Sequence, residues 1–207
     1  MGLNPTLILA SSSPRRRDLL ARLAVVPARI AAPDIDETPR KGEVPRVYAL
    51  RMAEEKAVAV LRAAGEIVVA GDTTVAVGRR ILPQAADADM QRGFLNLLSG
   101  RRHHVLSAVA VIDGNGRMRS RICDSIVRFK RLSADEIESY IDSGEGLGKA
   151  GGYAIQGRAE ALIDWMAGSH SGVVGLPLYE TRTLLRCLLY TSPSPRDRTR
   201  SRMPSSA

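Results

Sequence analysis

The sequence predicts an α/β protein with a mixed sheet, and three observations predict it. Short apolar runs of strand length alternate with longer stretches of helical spacing. The strand-like run at residues 6–10 turns directly into a helix beginning at Pro14. Two alternating stretches, 105–112 and 117–129, are joined by Asp113-Gly114-Asn115-Gly116, a hairpin turn that makes them antiparallel neighbours. A hairpin among strand–helix units implies a mixed sheet, not an ordered βαβ series. At 207 residues the chain is long enough for a sizeable core, as one domain or two closely packed lobes.

The elements follow in order. Residues 6–10 read as a buried strand and 14–24 as a helix, with Ser13 as N-cap and Pro14 as its first residue. Residues 28–32 read as a second strand. An acidic loop between two prolines follows, Pro33-Asp34-Ile35-Asp36-Glu37-Thr38-Pro39. Val47, Leu50, Ala53, Ala57 and Leu61 recur at helical spacing and predict a helix over 45–63. A strand over 66–70 runs into Gly71-Asp72-Thr73-Thr74, and a further strand over 75–77 precedes a Gly78-Arg79-Arg80 turn. Residues 87–98 are helical and stop near Gly100. Ser133 opens another helix, with Glu136 three residues on as a capping box. Residues 144–157 are a glycine-rich loop, and a last helix runs from about Pro177 to about Leu185. No internal repeat is evident.

The domain is expected to span 1–187. Residues 188–207 change character: Ser, Pro and Arg dominate, apolar periodicity is lost, and the segment reads as a disordered, appended extension unrelated to the activity.

Composition narrows the function. No apolar run approaches the ~20 residues of a membrane span, and the N-terminus lacks the pattern of a secretory leader. Cys123 and Cys187 make neither a disulfide framework nor a zinc spacing, which fits a reducing cytoplasm. The net charge of +8 suggests a polyanionic partner, but four arginines and one aspartate of the last twenty residues supply +3 of it. Aromatic residues are 4%, too few for stacking along a nucleic-acid strand. Arginine clusters beside a cleft suit nucleotide phosphates, so neither a nucleic acid nor a membrane is the expected partner.

The candidate site starts at the first strand–helix junction. Ser11, Ser12 and Ser13 place hydroxyls and free backbone N–H groups at a helix N-terminus, and Arg15, Arg16 and Arg17 follow at once. This suits a phosphate, although the same residues also describe a capped surface helix with solvated arginines. Asp72, after Gly71 at the end of an apolar strand, faces a cleft where it could bind Mg²⁺ or activate water; it equally reads as a turn aspartate. Asp36 and Glu37 either share a metal with Asp72 or solvate their loop. Lys56 either neutralises phosphate or lies on the surface. Together these are the parts for attack on a phosphoanhydride: cations to hold phosphates, a carboxylate-bound metal, and a carboxylate to orient water.

Other patterns carry less. There is no Walker A loop, and Gly146-Leu147-Gly148-Lys149-Ala150-Gly151-Gly152 reads as flexible rather than phosphate-binding. His103, His104 and His170 lack metal-ligand spacing. His103 and His104 point to opposite faces of a strand, in structural roles. Ser99-Gly100-Arg101 is a glycine C-cap or a way of placing Arg101 near a ligand.

Seven blocks in one order resemble the Maf family of nucleoside triphosphate pyrophosphatases. They are Leu9-Ala10-Ser11-Ser12-Ser13-Pro14-Arg15-Arg16, Asp34-Ile35-Asp36-Glu37, Ala53-Glu54-Glu55-Lys56-Ala57, Gly71-Asp72-Thr73, Leu97-Leu98-Ser99-Gly100-Arg101, residues 149–157 and residues 173–181. The resemblance implies a Maf/inosine-triphosphatase-like α/β fold, with two lobes around an elongated mixed sheet and a central cleft, often as a homodimer. It implies hydrolysis of a nucleoside triphosphate to the monophosphate and diphosphate with a divalent cation, Mg²⁺ or Mn²⁺. By resemblance Asp72 is the catalytic proton acceptor, and Glu37 and Lys56 are cleft residues. Arg15, Thr73 and Gln156 match the positions that set base preference, in the branch acting on dTTP and UTP. The expected site is therefore Asp72 for catalysis, Ser11, Ser13, Arg15, Arg16, Lys56, Thr73 and Gln156 for substrate, and Glu37 with Asp72 for metal.

One departure bears on function. Pro83-Gln84 falls where many relatives carry a lysine, and an amide forms a neutral hydrogen bond about half as strong as a charge-assisted one. That motivates a second reading, a nucleotide-binding regulator of cell division with weak catalysis. The overall basic charge motivates a third, a nucleic-acid-binding protein.

Overall fold

A computed structural model of the chain describes residues 6–191. The elements are β1 (Leu7–Ala10), α1 (Pro14–Ala21), β2 (Arg29–Ile30), α2 (Pro45–Val58), β3 (Ile67–Val77), β4 (Arg80–Leu82) and α3 (Ala88–Leu98). There follow β5 (Arg102–Ile112), β6 (Met118–Phe129), α4 (Ala134–Asp142), a 3₁₀ turn (Arg158–Leu162), β7 (Ile163–Ala167), α5 (His170–Val174) and α6 (Leu178–Thr191).

The strands form one mixed sheet in the order β2-β1-β3-β5-β6-β7, with β4 also paired to β3. β1 runs parallel to β2 and β3; the remaining pairs are antiparallel. The three long strands, β3, β5 and β6, run through two lobes. In one lobe α2 covers one face through Ala49, Ala53 and Ala57, against Ile8, Ala10, Val68, Ala70, Ala108 and Ala110. The other face of that lobe packs Leu9, Val69, Val109 and Val111 against Leu19, Leu20, Leu176, Leu184 and Leu185. The second lobe gathers Leu95, Leu98, Phe129, Ile137, Tyr140 and Tyr153 around the far ends of the strands. Burial of these aliphatic and aromatic side chains, at about 25 cal/mol per Å² of apolar surface, holds the lobes on their shared sheet.

Three expectations are corrected. The expected break in the strand at Gly71-Asp72-Thr73-Thr74 does not occur, and β3 is continuous from Ile67 to Val77. A composition typical of turns stays extended because β5 pairs with it along its length, from Val68↔Ile112 to Ala76↔His104. Asp72 is therefore a mid-strand residue, not one at a strand end.

The second correction concerns α2, which stops at Val58, short of residue 63. Its buried stripe is Tyr48, Ala49, Met52, Ala53, Lys56 and Ala57, while Val47 and Leu61 are exposed. Small alanines face the sheet because they allow close approach, and the chain must leave the helix to start β3 in register with β1. The third concerns Ser13. It stands at the N-cap of α1, but its side chain caps nothing; its backbone N–H donates to Ser11 Oγ at 3.1 Å. The box of Ser133 and Glu136 forms in full.

Between residues 158 and 174 the structure adds a 3₁₀ turn, β7 and α5, none of which the sequence reading anticipated. The last helix runs to Thr191, beyond the expected Leu185, so residues 188–191, expected as the start of a disordered tail, are helical. No residue that breaks helices intervenes before Pro193. Of the expected tail, residues 192–207 lie outside the described residues.

His103 and His104 lie on opposite faces of β5, as alternation requires. His104 is at the surface with its Nδ1 2.7 Å from Asp124 Oδ1. His103 is buried, with Nε2 2.7 Å from the Tyr153 hydroxyl and its ring stacked on Phe129. Burial, with a smaller contribution from His104, pushes the His103 imidazole down to about 4. It is then neutral when folded, whereas the unfolded chain protonates it near its ordinary value of about 6.5. Above that value it contributes no pH dependence. Below it the unfolded state binds the extra proton, so stability falls as pH drops toward about 4, by about 3 kcal/mol in all. Urea unfolding at pH 7 and pH 4.5 is expected to show this loss, and His103→Leu to remove that share of the slope. An unchanged slope in the variant would contradict it.

Candidate active site

The cleft arises from an interruption in strand pairing. β1 pairs with β3 only as far as Ala10↔Ala70. β4 takes up the same edge of β3 at Val75↔Leu82. Residues 71–74 lie between the two partners, with their other edge held by β5. A rigid strand thus presents an uncovered stretch at the junction of the lobes. The cleft there has a volume of about 340 Å³ and is adjoined by a second hollow of about 390 Å³. Both fall in the range of small-molecule sites, about 300–1,000 Å³.

Alternation along β3 sorts this stretch into two chemistries. Asp72 and Thr74 point to the α2 face. The small residues of that interface bring Lys56 of α2 down to the strand, where its Nζ donates to Asp72 Oδ1 at 2.8 Å. The same ammonium lies 2.9 Å from Glu37 Oε1. Thr74 Oγ1 donates to Asp72 Oδ2 at 2.9 Å. Lys56 is 7% exposed and Asp72 6%, whereas the Glu37 side chain is 44% exposed. The Glu37 loop is pinned by Tyr48, whose hydroxyl donates to the Glu37 carbonyl at 2.8 Å. Burial, aided by the Asp72 and Glu37 charges, pushes the Tyr48 phenol up to about 12, so it remains a donor at neutral pH.

Thr73 points to the opposite face and ties the cleft to α1 and α5. Its Oγ1 donates to the Gly175 carbonyl at 3.3 Å. Arg16 also reaches that carbonyl, through Nε at 2.8 Å, and donates to Ser11 Oγ at 3.1 Å and Thr73 Oγ1 at 3.4 Å. Gly71 leaves room for this: a Cβ there would lie 3.4 Å from Arg16 Nε and 3.2 Å from the Ala108 carbonyl oxygen. Arg15 is less constrained, with one bond from Nε to the Val174 carbonyl at 3.3 Å. Burial lowers the pKa of both guanidiniums; both stay charged.

Every expected site residue lines the one cleft: Ser11, Ser13, Arg15, Arg16, Glu37, Lys56, Asp72, Thr73 and Gln156. Gln84 lines it too. Asp36 does not; its Oδ1 accepts from the Thr38 backbone N–H at 2.9 Å in a local turn. Nor does Arg101, and Gly100 serves as the C-terminal turn of α3 with φ +68°. Tyr48 and Lys149 are the contributors that sequence reasoning missed. Tyr48 had a signal, as an aromatic one turn before Met52 on the buried stripe of α2. Lys149 belongs to the glycine-rich loop, whose composition suggests flexibility but which is not loose. A Cβ on Gly146 would meet the Gly152 carbonyl and Gln91 Nε2, one on Gly151 would meet Val75, and Gln91 Nε2 donates to Gly152 O at 3.1 Å. Gly146, Gly151 and Gly152 are there for close packing, whereas Gly148 has open space around it and a left-handed backbone, φ +67°.

The carboxylates fit a divalent cation of one kind. Among the described residues no group of three or more His, Cys, Asp or Glu side chains converges on a metal position. Glu37 and Asp72 are drawn together by Lys56, and both offer hard oxygen donors at the cleft. Two carboxylates with substrate phosphates and water suit Mg²⁺ or Mn²⁺, which are bound this way rather than in closed protein cages.

The model of the family described as Maf-like protein matches residues 6–188. The dTTP/UTP pyrophosphatase of Sphingopyxis alaskensis is 65% identical over 181 residues, covering 87% of this chain and 95% of that protein. The protein of the same name from Novosphingobium aromaticivorans is 61% identical, over 88% of this chain and 92% of its own length. The nucleoside triphosphate pyrophosphatase of Anaplasma phagocytophilum is 52% identical, over 87% and 94%. Among solved structures, the Staphylococcus aureus Ham1 protein aligns over 90% of this chain and 99% of its own, with 12% identity and a TM-score of 0.46.

Proposed function

From its membership of the Maf-like protein family, we propose that this chain is a nucleoside triphosphate pyrophosphatase hydrolysing dTTP and UTP to the monophosphate and diphosphate. The observation that carries the reading is the Asp72–Lys56–Glu37 cluster, built on the stretch of β3 that is open on one edge, in a cleft also lined by Arg15, Arg16 and Lys149. The names of the relatives support the substrate class.

In this reaction water attacks the α-phosphorus, the bond to the bridging α–β oxygen breaks, and diphosphate leaves. Asp72 accepts the proton of the attacking water. Each of its oxygens takes one hydrogen bond, from Lys56 and from Thr74. A carboxylate has about four acceptor positions, so sites remain for water. The two bonds fix the carboxylate before substrate arrives, as a general base needs. Lys56 spends two donors on Asp72 and Glu37 and keeps its third for a phosphate oxygen. Arg15, Ser13 and the N-terminus of α1 hold further phosphate oxygens, and Arg16, tied to Ser11, Thr73 and Gly175, sets that wall. Glu37 and Asp72 would hold the divalent cation, which when bound offsets phosphate charge and polarises the phosphoryl group. The Gln156 amide, at the rim, both donates and accepts. That complements the N3–H and carbonyl edge shared by uracil and thymine.

The residues of the cleft fall between Ala10 and Gly175. We take 1–187 as the active unit and 188–207 as an extension without a part in the chemistry. Among the described residues no helix is long and apolar enough to cross a membrane, and a cytoplasmic homodimer is the expected working form.

Diphosphate release from a panel of nucleoside triphosphates, with Mg²⁺ or Mn²⁺, tests the reading. Release from dTTP and UTP above the purine nucleotides is expected. A folded protein that binds dTTP without releasing diphosphate would favour the binding-only regulator.

A further inference from the structure

Lys149 is a cation that the mechanism above leaves unused. Its backbone is fixed at several points. Lys149 N–H donates to the Gly146 carbonyl at 3.2 Å, and its own carbonyl accepts from Ala85 N–H at 3.1 Å. On either side, Gly148 N–H donates to Ala85 O at 2.9 Å and Gly151 N–H to Pro83 O at 3.1 Å. Gln84 and Ala150 form a β-bridge. The loop is thus bound edge to edge with the segment after β4, and through Gly148, Lys149 and Ala150 it lines the same cleft as the carboxylate cluster.

The charges on this wall are uncompensated. Lys56 is neutralised by two carboxylates. Neither Lys149 nor Arg15 has an ion pair with any carboxylate among the described residues. They are close enough for Arg15, after burial, to lower the Lys149 ammonium pKa. Two cations held near each other on fixed backbone without a counter-ion make this part of the cleft electropositive. A ligand dense in negative charge is what such a place selects. An ammonium is a compact charge with rotatable donors, suited to phosphate oxygens of varied direction.

Resting on the pyrophosphatase reading, we propose that Lys149 binds the phosphate chain of the nucleotide together with Arg15. It supplies affinity common to all nucleotides and no choice between bases.

The test uses the full chain, with Lys149→Ala and Lys149→Arg beside the parent. Binding of inorganic tripolyphosphate is followed by calorimetry, and KM is measured for dTTP and UTP. Loss of one charge-assisted contact is expected to weaken tripolyphosphate binding and to raise both KM values by about tenfold or more in the alanine variant. The arginine variant, which keeps the charge, should recover most of the affinity. The proposal is overturned if the parent does not bind tripolyphosphate, if Lys149→Ala binds it as the parent does, or if that variant shifts the ratio of dTTP to UTP while tripolyphosphate binding is unchanged. A parent that binds tripolyphosphate through Lys149 yet hydrolyses no nucleotide would instead end the pyrophosphatase reading and leave this one standing.

Discussion

Asp72→Asn is expected to reduce dTTP turnover by about 10²–10⁴-fold, the usual contribution of a positioned general base. The substitution removes the acid–base group, and with it one of the two carboxylates that would hold the cation, while leaving the packing little changed. Asn keeps a carbonyl oxygen that can accept from Thr74, and Lys56 keeps Glu37 at 2.9 Å. The melting temperature should therefore shift by a few degrees at most. Because the lost interaction belongs to the transition state, kcat and kcat/KM should fall together. Steady-state kinetics with dTTP and UTP, beside a thermal melt of the same sample, decides the matter. Turnover above a tenth of the parent's would show that Asp72 is not the base.

Lys56→Met should give the largest loss of stability. The Lys56 ammonium is the group that Asp72 and Glu37 share, at 2.8 and 2.9 Å. Met replaces the aliphatic stem and fills the space, so the loss reports on charge rather than on a cavity. Removing one partner of a buried ion pair costs about 3–5 kcal/mol, because the other charge is left without compensation. Here the lower end applies: Glu37 is half-exposed and can turn toward water, while buried Asp72 cannot. A loss of about 3 kcal/mol corresponds to a drop of about 6–12 °C for a chain of this size. Adding Asp72→Asn to Lys56→Met should return part of it, so the double variant should be less destabilised than the sum of the two single ones. A Lys56→Met protein within 1 °C of the parent would mean that the pair has no structural weight.

Some of the site was legible in the chain itself. The serine turn at Ser11–Ser13, with Arg15 and Arg16 behind it, is a local pattern that lines the cleft, and so does Asp72, although the strand does not end there. The hairpin of β5 and β6 and the capping box at Ser133 were legible for the same reason: their partners lie within a few residues. Asp36 and Glu37 were not separable by pattern. Adjacent carboxylates in a loop look alike until Thr38 takes one into a turn and Lys56 draws in the other. The Gly146–Gly152 loop is ambiguous in sequence because glycine supports both flexibility and close packing. Only the positions of Gln91 and Val75, more than fifty residues away, distinguish the two.

The sequence by itself determined the residue types, their order and the local turns that make strands and helix starts, since these depend on short-range sterics and hydrogen bonding. It also determined which cations and carboxylates were available. The tertiary structure alone decided that β3 is unbroken and that its two partners on one edge leave residues 71–74 uncovered. It likewise decided which face each of those residues takes. The physical reason is that strand pairing and helix–sheet approach are set by contacts between distant segments. The spacing between Asp72, Lys56, Glu37 and Lys149 exists only once those contacts have formed.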